Sequence, residues 1–151
     1  MKAITLHEPW ATLVAIGAKK IETRGWATRY RGPLAIHASR SRQAWHINVA
    51  WQEPFFTALR PIHRKLEDGR VGFCFPFGCV IAICRLADCV LITPKSVPPE
   101  PERSFGDYTP GRYAWVLKDI KPLPEPVPVK GRQGLWEWNK LPEVGLWDNT
   151  I

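Results

Sequence analysis

Hydrophobic and polar residues alternate with a period of two over several short stretches, a pattern typical of β-strands with one buried face. The strongest strand signal is a longer and more continuously apolar stretch, CVIAICRLADCVLI, which is rich in β-branched residues and is predicted to bend near Arg85–Asp88. A proline-rich stretch, residues 121–131, is predicted to run extended along a sheet edge, where missing backbone N–H groups are tolerated. The stretches predicted as strands are Lys2–Leu6, 20–26, 33–38, 79–92 and 113–117.

A helical period replaces this alternation after residue 8. Trp10, Leu13 and Val14 recur at helical spacing, and Pro9 suits the start of a helix. Gly17 is placed to end that helix in a left-handed cap.

A second helical region is predicted over residues 43–66, in pieces that are broken at Pro54 and Pro61. Residues 94–110 contain five prolines and are predicted to form a surface loop. Short strands with two helical insertions predict an α+β fold, a small β-barrel with flanking helices. The length of 151 residues suits a single domain, residues 1–151.

The composition is that of a globular domain, with 45% hydrophobic and 23% charged residues. No apolar run approaches the roughly 18 residues that cross a bilayer. The start, MKAITLHEPW, lacks the long apolar segment of a secretory signal. A cytoplasmic location without membrane contact is therefore expected.

Positive charge is concentrated in the first part of the chain. Residues 1–60 hold nine Lys or Arg against three Asp or Glu, whereas residues 61–151 hold twelve against eleven. A one-sided basic field attracts phosphate-bearing partners, and Arg29, Arg31 and Arg40 form the predicted nucleic-acid patch. A surface that serves only solubility is the alternative interpretation.

The cysteine spacing does not indicate a metal site. Cys74, Cys79, Cys84 and Cys89 stand five residues apart, whereas zinc sites use closer pairs such as CxxC. Reduced and mostly buried thiols are expected instead, and neither a metal nor a cofactor is predicted.

The stretch GAKKIETRGW, residues 17–26, gathers Lys19, Lys20, Glu22 and Arg24. Strand alternation places Glu22 and Arg24 on one face, but it does not fix the direction of Lys19. On an exposed surface such a cluster contributes about 0–1 kcal/mol per ion pair. In a cleft, Glu22 could take a proton from water while a lysine stabilises an oxyanion.

Aromatic residues flank this basic stretch. Trp10, Trp26 and Tyr30 are candidates for stacking on an unpaired base, because such faces are what bases stack on beside arginines. Trp45 and Trp115 are predicted to be core residues. His37 alternates with apolar residues and is interpreted as a hydrogen-bonded, half-buried histidine.

The stretch LHEPWATLVAIGAKKIETRGW, residues 6–26, resembles the opening of ASCH-domain proteins, whose hallmark is G-x-K-x-x-E-x-R. That motif falls on Gly17, Lys19, Glu22 and Arg24, and the resemblance continues through YRGPLAIHAS, FGDYTPGRYAWVL and VKGRQGLWEW. It implies a PUA-like β-barrel, related to RNA-binding modules, in which Lys19, Glu22 and Arg24 line a cleft.

The resemblance implies several activities, since family members are associated with nucleic-acid binding, transcriptional coactivation, RNA cleavage and hydrolysis of N4-acylated cytidines. The small amidohydrolases carry a lysine, then a threonine three residues on, and a later glutamate. Lys19 matches their lysine, but Glu22 stands where they have threonine, and Thr23 keeps the spacing only from Lys20. The candidates for the later acid are Glu100, Glu102 and Asp107.

Two main hypotheses follow. In the first, the chain is an amidohydrolase on acylated cytosine nucleosides such as N4-acetylcytidine. Glu22 activates water, Lys19 stabilises the oxyanion, and Arg24 keeps Glu22 ionised. The residues expected around the base and acyl group are Trp10, Trp26, Tyr30 and His37. In the second, the cleft and the arginine patch hold RNA or single-stranded nucleic acid without chemistry; a ribonuclease is a third possibility.

Overall fold

The computed structural model of the chain describes residues 1–139. It contains a six-stranded sheet in the order β2-β7-β6-β3-β1-β8, a separate two-stranded hairpin of β4 and β5, and three short α-helices. The strands are β1 Lys2–Leu6, β2 Ile21–Arg24, β3 Gly32–Ala38, β4 His63–Lys65, β5 Val71–Phe73, β6 Cys79–Leu91, β7 Tyr113–Pro128 and β8 Trp136–Glu137. The helices are α1 Trp10–Ala15, α2 Ala44–Asn48 and α3 Phe55–Ala58.

The core lies between the sheet and α1. Strands β1 and β3 are parallel, and the other pairs in the large sheet are antiparallel. Alternate residues of these strands, such as Ile4, Ile36 and Leu86, pack against Val14 and the fully buried Trp115. Apolar burial of this kind contributes roughly 25 cal/mol per Å² and is the main stabilising force of such a fold.

Helix α1 follows the sequence prediction closely. Its residues from Ala11 to Ala15 are all buried, and the carboxylate of Glu8 accepts hydrogen bonds from the backbone N–H of Thr12 at 2.8 Å and from its hydroxyl at 2.6 Å. Gly17 has a φ of +80° and ends the helix, as predicted. The chain then turns directly into the motif strand β2.

The second helical region differs in part from its prediction. The break at Pro54 is confirmed, because that residue precedes α3. Pro61 instead lies within a 3₁₀ helix, Arg60–Ile62, near its start, where a missing N–H leaves no helical bond unmade. The helical prediction is wrong for the last residues, which form β4 and pair with β5.

The predicted strand 113–117 and most of the proline-rich stretch 121–131 form one strand, β7. Its pairing with β6 shifts register between Ile83 and Arg85 and between Leu86 and Asp88, so the ladder is irregular where the bend was predicted. Strand β2 pairs with the first part of β7 only, so the prolines of the second part lie on an edge, as predicted.

The α+β class is confirmed, but the sheet is not a closed barrel. Within residues 1–139 no backbone ladder joins the outer strands β2 and β8, and β8 pairs with only Lys2 and Ala3 of β1. The second half of β1 therefore has an open side. A side chain reaches it, because the Nη2 atom of Arg24 donates to the carbonyl oxygen of Thr5 at 2.9 Å.

Candidate functional site

The motif residues meet around the carboxylate of Glu22. Arg24 donates to its Oε2 atom through Nη2 at 3.0 Å and Nε at 3.1 Å. The Nζ atom of Lys19 lies 3.5 Å from Oε1, and the backbone N–H of Thr23 donates to the same oxygen at 3.2 Å. Both carboxylate oxygens are therefore held in place by the motif itself.

Lys19 lies beneath this carboxylate and has no exposed surface. Its backbone N–H donates to the carbonyl of Leu13, so the turn after α1 points the side chain inward, where Nζ also donates to the carbonyl oxygen of Ile21. Lys20 is exposed instead. The alternation of β2 could not predict this direction, because Lys19 precedes the strand.

A cavity of about 430 Å³ opens above Glu22, and we call it the motif cavity. Strands β1 and β2, the start of α1 and the loop before β7 form its walls. Side chains that line it include Trp10, Glu22, Thr23, Arg24, Asp107 and Arg112.

The loop wall of the motif cavity is anchored to the motif strand. The carboxylate of Glu102 accepts hydrogen bonds from the backbone N–H groups of Lys20, at 3.0 Å, and Ile21, at 2.9 Å. Further along, the backbone N–H of Asp107 donates to the hydroxyl of Thr23 at 3.0 Å. These bonds couple residues that are more than eighty positions apart in sequence.

Of the three acids considered for the later position, Asp107 is the one that lines the motif cavity. Glu102 is engaged with backbone groups, and Glu100 pairs with Arg103 and accepts from the hydroxyl of Ser104. Hydrogen bonds from Thr109, followed by the charge of Arg112 at 3.5 Å, hold the pKa of Asp107 below its usual value.

A second cavity of about 710 Å³ adjoins the first, and we call it the basic cavity. The two cavities share Thr5, His7 and Arg24. The basic cavity also exposes the charged side chains of Arg40, Lys130 and Arg132. The sequence prediction missed Lys130 and Arg132; the signal that could have found them is the pair of cations around Gly131 in VKGRQG.

His37 holds the loop that carries these cations. Its Nε2 atom lies 2.8 Å from the carbonyl oxygen of Val129, and its Nδ1 atom lies 3.1 Å from the hydroxyl of Thr5. Burial lowers the pKa of the imidazole. The hydrogen-bonded histidine predicted from sequence is confirmed, although it is more deeply buried than expected, and the ring also lines the basic cavity.

The predicted stacking residues separate into two groups. Trp10 lines the motif cavity, and Trp26 lines the basic cavity with its ring set edge-on against Trp115. Tyr30 lines neither cavity; its hydroxyl donates to the carbonyl oxygen of Pro33. The structure thus places two of the three aromatic candidates at the cleft.

The arginine patch separates in the same way. Arg40 lines the basic cavity, whereas Arg29 and Arg31 are exposed and line neither cavity. Arg31 lies 3.4 Å from Asp88.

Of the two predicted core tryptophans, Trp115 is fully buried, but the prediction is wrong for Trp45, which is 67% exposed.

Two structural facts bear on metals and membranes. Within residues 1–139, no group of three or more His, Cys, Asp or Glu side chains is arranged to hold a metal ion. Over the same residues, the helices are too short or too polar to cross a bilayer.

Comparison with known proteins identifies the family. The model of the ASCH domain matches residues 4–123. The chain is 27% identical over 136 residues to activating signal cointegrator 1 of Mus musculus. It is 28% identical over 137 residues to the Homo sapiens protein of the same name. Each match covers 89% of this chain but 22% of the relative.

Solved structures show the same fold. ASCH from Zymomonas mobilis superimposes with a TM-score of 0.52 at 16% identity, covering 92% of this chain and 87% of that one. A single-residue variant of it gives a TM-score of 0.55 at 17% identity, covering 92% and 90%. The fold is therefore α+β and PUA-like, and the chain belongs to the ASCH domain family.

Proposed function

We propose that this chain binds single-stranded nucleic acid, with one nucleobase in the motif cavity and the adjoining phosphates in the basic cavity. The observation that carries the proposal is the separation of charge across a shared wall. The motif cavity is balanced in charge, since the carboxylates of Glu22 and Asp107 stand beside Arg24 and Arg112, whereas the described residues that line the basic cavity include four cations and no acid.

The motif cavity has the chemistry of a base site. Its volume of about 430 Å³ lies within the range of small-molecule pockets. Trp10 gives it an aromatic wall, Glu22 and Asp107 offer acceptors for amino groups, and Arg112 offers a donor. The carboxylates are paired with Arg24 and Arg112, so this cavity has no excess of positive charge for a phosphate, and a neutral base suits it better than the backbone of the strand.

The basic cavity suits the phosphates. Arg40, Lys130 and Arg132 are exposed there, and Arg24 stands on the wall that both cavities share. Neutralising phosphates with such side chains releases counterions and dominates the affinity of nucleic-acid binding. Trp26, 39% exposed, adds a stacking face beside these cations.

The first test is a binding measurement. Fluorescence anisotropy with a labelled, unstructured single strand should give an affinity that falls steeply with salt, with a log–log slope of about −0.7 for each phosphate contacted. Lys130→Ala and Arg132→Ala should each weaken binding and reduce the slope. Their matched controls, Lys118→Ala and Arg64→Ala, remove exposed charges that line neither cavity and should leave both unchanged.

An affinity independent of salt, or equal losses in the control variants, would contradict the proposal. The same measurement with a duplex distinguishes single-strand binding from general attraction to phosphate. Tighter binding of the duplex would also contradict the assignment of a base to the motif cavity.

A second candidate, an amidohydrolase on N4-acylated cytosine nucleosides such as N4-acetylcytidine, is favoured by the setting of Glu22 and Thr23. Both line the motif cavity, and Asp107 faces the same space. In this candidate water adds to the acyl carbon, and Glu22 takes its proton. The carbon–N4 bond then breaks, N4 receives the proton, and a carboxylic acid and cytidine leave.

We place this candidate second because of Lys19. Its side chain has no exposed surface and donates to the carbonyl of Ile21 beneath Glu22, so it supports that carboxylate and does not line the cavity. Release of cytidine from N4-acetylcytidine, followed by chromatography, tests the reaction. Turnover lost in Glu22→Gln under conditions where circular dichroism shows that variant folded, but retained in Lys20→Met, would move the hydrolase to first place; no release from the intact chain would remove it.

A further inference from the structure

Three aromatic rings connect the cleft to the outer surface. The ring of His7, which lines both cavities, stacks on the ring of His46 at 4.4 Å between centroids with an angle of 26°. The ring of His46 in turn lies 3.6 Å from the ring of Trp45, at 51°. We call His7, His46 and Trp45 the aromatic column.

The outer end of the column is exposed but oriented. Trp45 has 67% of its surface exposed, more than the other exposed large hydrophobic residues of the described chain. Its indole Nε1 donates to the side-chain oxygen of Gln43 at 3.1 Å, which orients the ring on α2. The exposed face of Trp45 is therefore available for stacking in a fixed orientation.

The inner part of the column supports that ring from behind. His46 is 6% exposed, and Trp10 packs edge-on against it at 5.5 Å. Burial lowers the pKa of both His46 and His7 below the usual histidine value, and the nearby Arg24 lowers that of His7 further. The lowered pKa values favour the neutral form of both rings, in which they stack without charge repulsion.

Positive charge lines the chain between the basic cavity and Trp45. After β3 ends at Ala38, Ser39 and Arg40 line the basic cavity. Arg42 follows, exposed, with its guanidinium carbon 4.5 Å from the centroid of Phe77. Arg40 and Arg42 thus lie on the chain segment that links the basic cavity to Trp45.

We propose that Trp45 is the stacking platform for a second unpaired base, adjacent to the nucleotide held in the cleft, with the intervening phosphate beside Arg40. This rests on the proposed function, since the first nucleotide must occupy the cleft. Base stacking on an aromatic side chain tolerates any base, so Trp45 adds affinity and length to the site and not sequence choice. The site accordingly takes at least two nucleotides.

The test compares ligands of different length. Cytidine 5′-monophosphate, whose base carries an amino group, is titrated by calorimetry, and labelled oligocytidylates of two to six nucleotides are titrated by anisotropy, against the intact chain and three variants. Trp45→Ala should weaken oligonucleotide binding by roughly tenfold and leave mononucleotide binding unchanged. Trp45→Phe, which keeps a stacking face, should recover most of the affinity.

Trp51→Ala is the matched control, because Trp51 is also an exposed tryptophan, at 50%, and packs against Phe73 away from the column. It should bind every ligand like the intact chain. Equal oligonucleotide affinities for Trp45→Ala and the intact chain would overturn the inference, while the proposed function would stand. Trp45 would then be a candidate contact for a protein partner. Equal losses in Trp45→Ala and Trp51→Ala would also overturn it. Absence of binding by the intact chain would overturn both proposals.

Discussion

The Nζ atom of Lys19 lies 3.5 Å from the Oε1 atom of Glu22, and the lysine has no exposed surface. The ammonium group depends on this carboxylate and on the carbonyl oxygen of Ile21 for its compensation. Removing one partner of a buried ion pair leaves an uncompensated charge, which is more costly than losing an exposed pair.

We therefore expect Glu22→Gln to destabilise the fold through Lys19, by about 3 kcal/mol in the free energy of unfolding. Lys19→Met in the same chain should restore part of that loss, because the buried charge is then removed as well. Urea unfolding of both single variants and the double variant measures the coupling. Additive effects of the two substitutions would contradict the dependence, and Lys20→Met, at the exposed neighbour, should change stability little.

The carboxyl of Glu8 should make stability depend on pH near neutrality. Burial raises its pKa from 4.5 to about 7. Between these two values the folded chain binds more protons than the unfolded chain, so this contribution to stability is fully present below pH 4.5 and is lost as pH rises through about 7. Glu8→Gln should remove this dependence. Between pH 4 and pH 8, the free energy of unfolding of this variant should rise relative to that of the intact chain by up to about 3 kcal/mol.

Glu53 provides the matched control for Glu8. It also precedes a proline at the start of a short helix and accepts a hydrogen bond from the threonine four residues on, Thr57, at 2.9 Å, but it is exposed. Glu53→Gln should leave the pH profile of unfolding unchanged. A profile that is the same for the intact chain and Glu8→Gln would show that Glu8 does not titrate in this range.

Glu102 should hold the loop wall of the motif cavity in place. Its carboxylate accepts from two backbone N–H groups of the motif segment, and hydrogen bonds to charged groups contribute about 1.5–3 kcal/mol. Glu102→Ala should therefore speed proteolysis within residues 94–110 and weaken any ligand of the motif cavity. Glu100→Ala, two residues away and exposed, serves as the control; equal proteolysis of both variants would contradict the anchoring role.

The cysteines should react with thiol reagents in a fixed order. Cys74 is exposed, whereas Cys84 is fully buried and its burial raises the pKa of the thiol to about 12. Because the thiolate is the reactive form, Cys74 should be modified first in the folded chain and Cys84 only after denaturation. Mass spectrometry of partly modified protein checks the order, and early modification of Cys84 would contradict its burial.

The sequence was sufficient for elements whose pattern is local. Strand β1 has its predicted bounds, and the end of α1 at Gly17 follows from a glycine signal that depends only on neighbouring residues. The α+β class followed from the same evidence. Closure into a barrel was wrong, since closure depends on which edges meet and not on any one strand.

The site was only partly predictable for a related reason. Glu22 and Arg24 share a face because they are two residues apart on a strand, as the alternation of the sequence predicted. Lys130 and Arg132 join Arg40 at the basic cavity across some ninety residues of chain, through the bond between His37 and Val129. The burial predicted for Trp45 was wrong because α2, Ala44–Asn48, turns His46 inward and leaves the adjacent Trp45 on its exposed side.

Arg24 also has a consequence for local opening of the sheet. At the open side of β1, one side-chain hydrogen bond links this strand to β2: the guanidinium of Arg24 donates to the carbonyl oxygen of Thr5. Neighbouring strands such as β1 and β3 are joined by a backbone ladder instead. A ladder opens only when several bonds break together, but one side-chain bond opens by a change of rotamer. Strand β2 has a backbone ladder with β7 alone, whereas β3 has ladders with both β1 and β6, so the amides of β2 should exchange faster than those of β3, and the difference should widen in Arg24→Met. Strands β1 and β2 are therefore joined at one point by a side chain and not along their length by backbone hydrogen bonds.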